Sequence, residues 1–105
     1  MNPNFFALSF SWRVSHVKIL IDPHTLERAE ERGTNESEIK DVIDTGFSIH
    51  AKYNRLGKAK IYPFQDQQQG KFYEQKKVEV FYIVEKDFVI TVTVYVFYGK
   101  WEDVK

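Results

Sequence analysis

From Val14 to Ile21 the chain alternates and is rich in β-branched residues, with Val17, Ile19 and Ile21 on one side and His16, Lys18 and Leu20 on the other. That is the two-residue period of a β-strand. The pattern then changes. Asp22 followed by Pro23 supplies an N-cap and a proline at the first helical position, and Gly33 suits the left-handed residue that ends a helix, so a helix is expected over 23–32. Asn35 with Glu38 three residues later has the form of a capping box, after which Ile39, Val42 and Ile43 recur at helical spacing until Thr45 and Gly46. A second helix over 36–45, folded back on the first as a hairpin, follows.

Beyond Phe47 the chain reads as strands only. Phe47 to Tyr53 and Lys58 to Phe64 flank an Asn54-Arg55-Leu56-Gly57 turn, and Val78 to Val84 and Phe88 to Tyr98 flank Glu85-Lys86-Asp87, giving two antiparallel hairpins. In the last strand Phe88, Ile90, Val92, Val94 and Val96 point one way and Val89, Thr91, Thr93, Tyr95 and Phe97 the other, so both faces are expected to be covered and the strand to be central. Pro63 places its strand at an edge or at a bulge. Gln65 to Gly70 has no apolar residue and reads as a mobile loop.

The order strand, helix, helix, four strands implies an α+β domain: a strongly curved antiparallel β-sheet of four to five strands with an N-terminal helical hairpin packed on one face. At 105 residues there is one domain, over 14–105, preceded by an aromatic extension, 1–13. That extension carries Phe5, Phe6, Leu8, Phe10 and Trp12. It is too short for a membrane span and has no basic start of the kind a signal peptide needs. It is read either as a segment whose aromatics dock on the domain or on a second copy, or as a frayed tail or an upstream start.

Composition excludes more than it assigns. With 43% hydrophobic and 16% aromatic residues a real core can form, and the absence of cysteine removes disulfide scaffolds, thiolate metal sites and thiol chemistry together. A cytoplasmic location fits best. Fifteen basic residues balance fifteen acidic ones, so bulk charge cannot hold the chain to nucleic acid and any attraction for RNA must be local. Neutrality conceals a division: residues 22–44 carry eight acids against three bases, and residues 52–77 carry seven bases against two acids.

His16, His24 and His50 are isolated, with no spacing that aims two ligands at one metal ion, and neither a Gly-x-Ser-x-Gly elbow nor a glycine-rich phosphate loop is present. No metal or other cofactor is expected. On the first helix Leu26 and Ala29 mark the buried side, while His24, Arg28 and Glu31 fall nearly opposite with Arg32 beside them. His24 can exchange a proton near neutral pH and the two arginines can hold a phosphate, although Glu31 at i+3 from Arg28 also allows an ordinary solvated face. In 52–77, Lys58, Lys60, Lys71 and Lys76 are interleaved with Tyr53, Tyr62, Phe64, Phe72 and Tyr73, a mixture that suits single-stranded RNA and equally a half-wet strand with lysines at its edge. Tyr98, Lys100 and Trp101 leave the last strand together, available for proton transfer or phosphate contact, or simply closing the core.

The run HTLERAEERG with NESEIKDVID behind it, and the β-rich half ending in VITVTVYVFYGKW, resembles small bacterial families of the RelE/ParE toxin superfamily, relatives of the BrnT toxin among them. His24, Arg28, Arg32 and Gly33 match the first part of that signature and Thr93, Val94 and Tyr95 the second, over residues 17–98. The resemblance implies a type II toxin-antitoxin toxin, a metal-free endoribonuclease acting on mRNA, often at the ribosome, and silenced by a cognate antitoxin protein. It implies His24 as acid or base, Arg28, Arg32 and Lys60 as phosphate stabilisers, and Tyr62 or Tyr95 as an accessory, with Lys58, Lys71, Lys76 and Lys100 on the RNA path. The neutral charge departs from the usual basic toxin. Two other readings stand beside it: a non-catalytic module of the same fold that binds an antitoxin-like protein or RNA, and a homo-oligomeric structural protein, such as a homodimer, joined through Phe5 to Trp12.

Overall fold

The computed structural model describes residues 18–101. The 1–13 extension, and residues 14–17 of the first strand, lie outside the described residues. The elements run β1 (Lys18–Leu20), α1 (Pro23–Arg32), α2 (Glu36–Thr45), β2 (Phe47–Ile49), β3 (Leu56–Gln68), β4 (Lys71–Glu85) and β5 (Phe88–Gly99). The fold is α+β, as the order of elements implied. It is one five-stranded sheet in the order β1-β5-β4-β3-β2, with α1 packed on β5 and α2 on β3 and β4.

Both helices begin and end where their caps dictate. Asp22 accepts from the amides of His24 and Thr25, and Gly33 closes α1 at φ 108, returning its amide to Ala29 and Glu30. Asn35 accepts from the Glu38 amide at 2.9 Å, one half of a capping box. The Glu38 carboxylate does not complete it, because it is taken by the Thr34 hydroxyl and the Lys76 ammonium.

The sheet corrects the expectation of a purely antiparallel arrangement. β1 pairs with β5 in parallel, Lys18 with Phe88 through Leu20 with Ile90, since the two helices carry the chain across one face before β5 returns beside β1. All other neighbours are antiparallel. The expected loop at Gln65 to Gly70 is also corrected. β3 runs on to Gln68, and only Gln69 and Gly70, both at positive φ, form the turn into β4. The strand of Pro63 breaks as that residue requires: Phe64 and Gln65 together oppose the single Glu74. The first strand of the hairpin is shorter than read, β2 stopping at Ile49.

β5 lies between β1 and β4 but does not keep one phase along its length. Phe81 pairs with Thr93 and Tyr82 with Thr91, leaving Val92 as an extra residue. Before this bulge Val89 and Thr91 are buried; after it Val94 is, and Val96 packs against the same core. The alternation read from the sequence therefore holds within each half of the strand and changes phase at Val92. The core lies between the helices and the sheet, built on Ala29, Ile39, Val42, Val78, Val80, Tyr82, Val89 and Val94.

Candidate functional site

His24, Arg28 and Arg32 follow one another at intervals of four residues, so they form a line along α1. Because α1 packs on β5, that line lies against the bulge. His24, Thr25, Arg28 and Arg32 form one wall of a groove of about 270 Å³, and Val92, Thr93 and Val94 form the other. The bulge shapes the recess, since an extra residue bends its strand locally. His24 and Arg28 are exposed and Arg32 is half-buried. Among the described residues, Arg28 has neither an ion pair nor a side-chain hydrogen bond, so the Glu31 pairing considered from the sequence is not formed.

Arg32 is held in place. Its Nη1 donates to the Val94 carbonyl at 2.6 Å, and its guanidinium lies 5.4 Å from the centre of the Tyr95 ring. β1 covers β5 only as far as Ile90, so among the described residues the Val94 carbonyl sits on an open strand edge that Arg32 reaches across. Tyr95 is 42% exposed and meets Phe81 edge-on and Phe97 at a tilt. The backbone carbonyl of Arg32 accepts from the Tyr98 hydroxyl at 2.7 Å, which fixes the end of α1 to the far part of β5.

The basic strand does not join this groove. Lys60 in β3 is aligned with Val78 in β4, which is aligned with Val96 in β5, so two strand spacings, about 10 Å, separate it from β5. It lies beneath α2, where it donates to Asp41 at 2.7 Å and to the Thr45 hydroxyl at 2.8 Å. Tyr62 donates to the same Asp41 oxygen at 2.7 Å. Hydrogen bonds from Lys60 and Tyr62 hold the Asp41 carboxyl below its usual range, and burial followed by the bond to Asp41 pushes the Tyr62 phenol well above its own. Lys76 is 11% exposed in its side chain, paired with Glu38 at 2.9 Å and donating to the Gly33 carbonyl at 2.7 Å.

The remaining lysines are spread out. Lys58 reaches the Gly46 carbonyl at 3.5 Å, Lys71 lies over the Tyr73 ring at 5.5 Å, and Lys100 faces Glu74 at 3.8 Å. Of the ten residues singled out from the sequence, His24, Arg28 and Arg32 are brought together, with Tyr95 against Arg32. Thr25 and Thr93 also line these walls, and neither was assigned a place in the site from the sequence. Their signal was the spacing: Thr25 is one position from His24, and Thr93 adjoins the extra residue in a run of alternating Val and Thr.

Among the described residues, no group of three or more His, Asp or Glu side chains is placed to hold a metal ion, and no helix is long and apolar enough to cross a membrane. No protein-family model, curated protein or solved structure matches the chain.

Proposed function

We propose that the chain is a toxin of the RelE/ParE kind, a metal-free endoribonuclease controlled by an antitoxin partner, whose reaction centres on the groove of His24, Arg28 and Arg32. The observation that carries this reading is the groove itself: an imidazole and two guanidiniums on one wall of a recess sized for a phosphodiester. Cleavage by this route removes the proton of the ribose 2′-hydroxyl as its oxygen attacks phosphorus. It stabilises the charge on the phosphorane and returns a proton to the departing 5′-oxygen, leaving a 2′,3′-cyclic phosphate and a free 5′-hydroxyl. His24 is the group that takes and returns the proton, and Arg28, unpaired among the described residues, is the principal phosphate ligand. Arg32 and Thr93 border the same anion. Tyr95 is positioned through Arg32 rather than through the groove wall.

Lys60, Tyr62 and Lys76 drop out of the chemistry in this reading, because each is already bonded to a group on α2 or at its start. Lys58, Lys71 and Lys100 are left for RNA contacts away from the groove. The test is purified full-length chain incubated with RNA, with and without ribosomes, beside His24→Ala and Arg28→Ala. Cleavage lost by about 10²-fold or more in His24→Ala supports the assignment; unchanged cleavage removes the site.

One observation favours a non-catalytic alternative. With Arg32 bound to the Val94 carbonyl, the groove presents one proton-exchanging side chain and one arginine that is unpaired among the described residues, which is enough to bind an anion without turning it over. In that case RNA is retained but stays intact, and the chain copurifies with an antitoxin-like protein.

A further inference from the structure

A second and larger groove, of about 920 Å³, opens between β1, α2 and the ends of β3 and β4, and shares no lining residue with the groove of His24. Its surface is mostly apolar, although Lys18, Lys40, Asp41, Asp44 and Lys86 are also among the lining residues. Leu20, Leu56 and Val84 converge on it while remaining 46%, 51% and 52% exposed. Aliphatic side chains gathered on one concave surface and left half in water mark a docking site. Tyr82 also lines the groove. It is 7% exposed, and among the described residues its hydroxyl has no hydrogen-bond partner. A phenol without a partner on a largely apolar groove favours an occupant that brings a hydrogen-bond acceptor as well as apolar surface.

Lys18, the first described residue, is itself part of the lining, so the chain enters the domain at the rim. Immediately upstream, Phe5, Phe6, Leu8, Phe10 and Trp12 place five large apolar side chains within eight positions, and residues 1–12 contain no Asp, Glu, Lys or Arg. From Trp12 to Lys18 the backbone can span about 20 Å, enough to fold back over a groove that begins at Lys18. The need for apolar cover and the supply of it therefore adjoin in one chain.

We propose that residues 5–12 of the same chain occupy this groove, their apolar side chains resting against Leu20, Leu56 and Val84 and their backbone supplying the acceptor for Tyr82. That surface is separate from the groove of His24, so RNA bound there leaves the seated segment in place.

The chain has no cysteine, so a single introduced thiol reports cleanly on this surface. In full-length Val84→Cys the thiol reacts slowly with a maleimide, and Phe10→Ser with Trp12→Ser added to the same chain speeds labelling several-fold. Equal rates with and without the two serines overturn the proposal. Tryptophan emission gives a second reading, since Trp12 and Trp101 are the two tryptophans present. In Trp101→Phe protein, Trp12 emission is blue-shifted and moves to the red in Leu56→Ser, whereas Phe72→Ser, exposed on the β3–β4 arm outside the groove, leaves it unchanged. An emission typical of water in the starting protein, or one indifferent to Leu56→Ser, refutes the assignment. A blue shift that grows with protein concentration does so too, because it hands the groove to a second copy.

Discussion

Arg32 Nη1 donates to the carbonyl oxygen of Val94 across 2.6 Å, joining the last turn of α1 to the open edge of β5. The bond separates two arginines that look alike in sequence. Arg32→Ala is expected to lower unfolding free energy by about 1.5–3 kcal/mol, the range for a hydrogen bond from a charged donor. Arg28→Ala, exposed and unpaired among the described residues, is expected to stay within about 0.5 kcal/mol of the parent while losing RNA affinity. Urea unfolding run beside RNA filter binding separates the two effects. Equal stability of the two variants would show that the Val94 contact carries no load.

Gly33 and Tyr98 make a second linked pair. Gly33 holds φ 108, and a Cβ at that position would fall on the Tyr98 hydroxyl, the group that donates to Arg32. Gly33→Ala therefore combines an unfavourable left-handed backbone with a clash and is expected to cost about 1–3 kcal/mol. Tyr98→Phe in the same chain removes the colliding oxygen and recovers part of that loss. Thermal melts of the two single variants and the double variant check the sign of the coupling.

Lys76 reads from the sequence as an RNA contact, whereas its ammonium lies between Glu38 and the Gly33 carbonyl with 11% of its side chain exposed. Lys76→Ala leaves a largely enclosed carboxylate unmatched and is expected to destabilise by on the order of 3 kcal/mol. RNA affinity, measured below the melting temperature, is expected to change little. A variant that folds normally and loses RNA binding would return Lys76 to the RNA path.

Asp41 makes the domain acid-sensitive. Hydrogen bonds from Lys60 and Tyr62 depress its folded pKa, so its contribution is complete above the ordinary carboxylate range and is lost as pH falls through the lowered folded value. Asp41→Asn is expected to be less stable near neutrality and to show a flatter decline on acidification. Urea midpoints between pH 7 and the acid limit, compared for the two proteins, give the slope. Parallel curves would mean that Asp41 titrates alike in both states.

The helices were legible almost to the residue because their limits are written in local chemistry. Asp22-Pro23 and Asn35 set the starts, and Gly33 the stop of α1, without help from distant parts of the chain. The β3–β4 arm was not legible. Gln65 to Gly70 lies where neither face of the ribbon is covered, so no apolar period marks it, and its pairing is visible only through Gln67 opposite Phe72 and Gln68 opposite Lys71. The parallel β1–β5 pairing depends on three residues at each end of the fold, beyond the reach of any local pattern. The bulge escaped because residues 88–98 are all apolar or threonine, so either phase reads equally well.

The candidate site divides the same way. His24, Arg28 and Arg32 were found together because helical spacing is local. Lys60 and Lys76 read as RNA contacts because linear order does not show what faces them, which in the fold is Asp41 and Glu38. Yet the acidic block at 22–44 and the basic block at 52–77 were both visible, and Asp41 with Lys60 and Glu38 with Lys76 are those two blocks meeting.

The extra residue Val92 puts the two halves of β5 out of step, so that Val89 and Thr91 before it and Val94 and Val96 after it serve the same interior. Excising Val92 would put Thr93 directly after Thr91 and set Thr91, Val94 and Val96 on one unbroken period, keeping every face and removing only the local bend beside α1. Val92 therefore sets the contour that α1 meets and leaves the inventory of the interior unchanged.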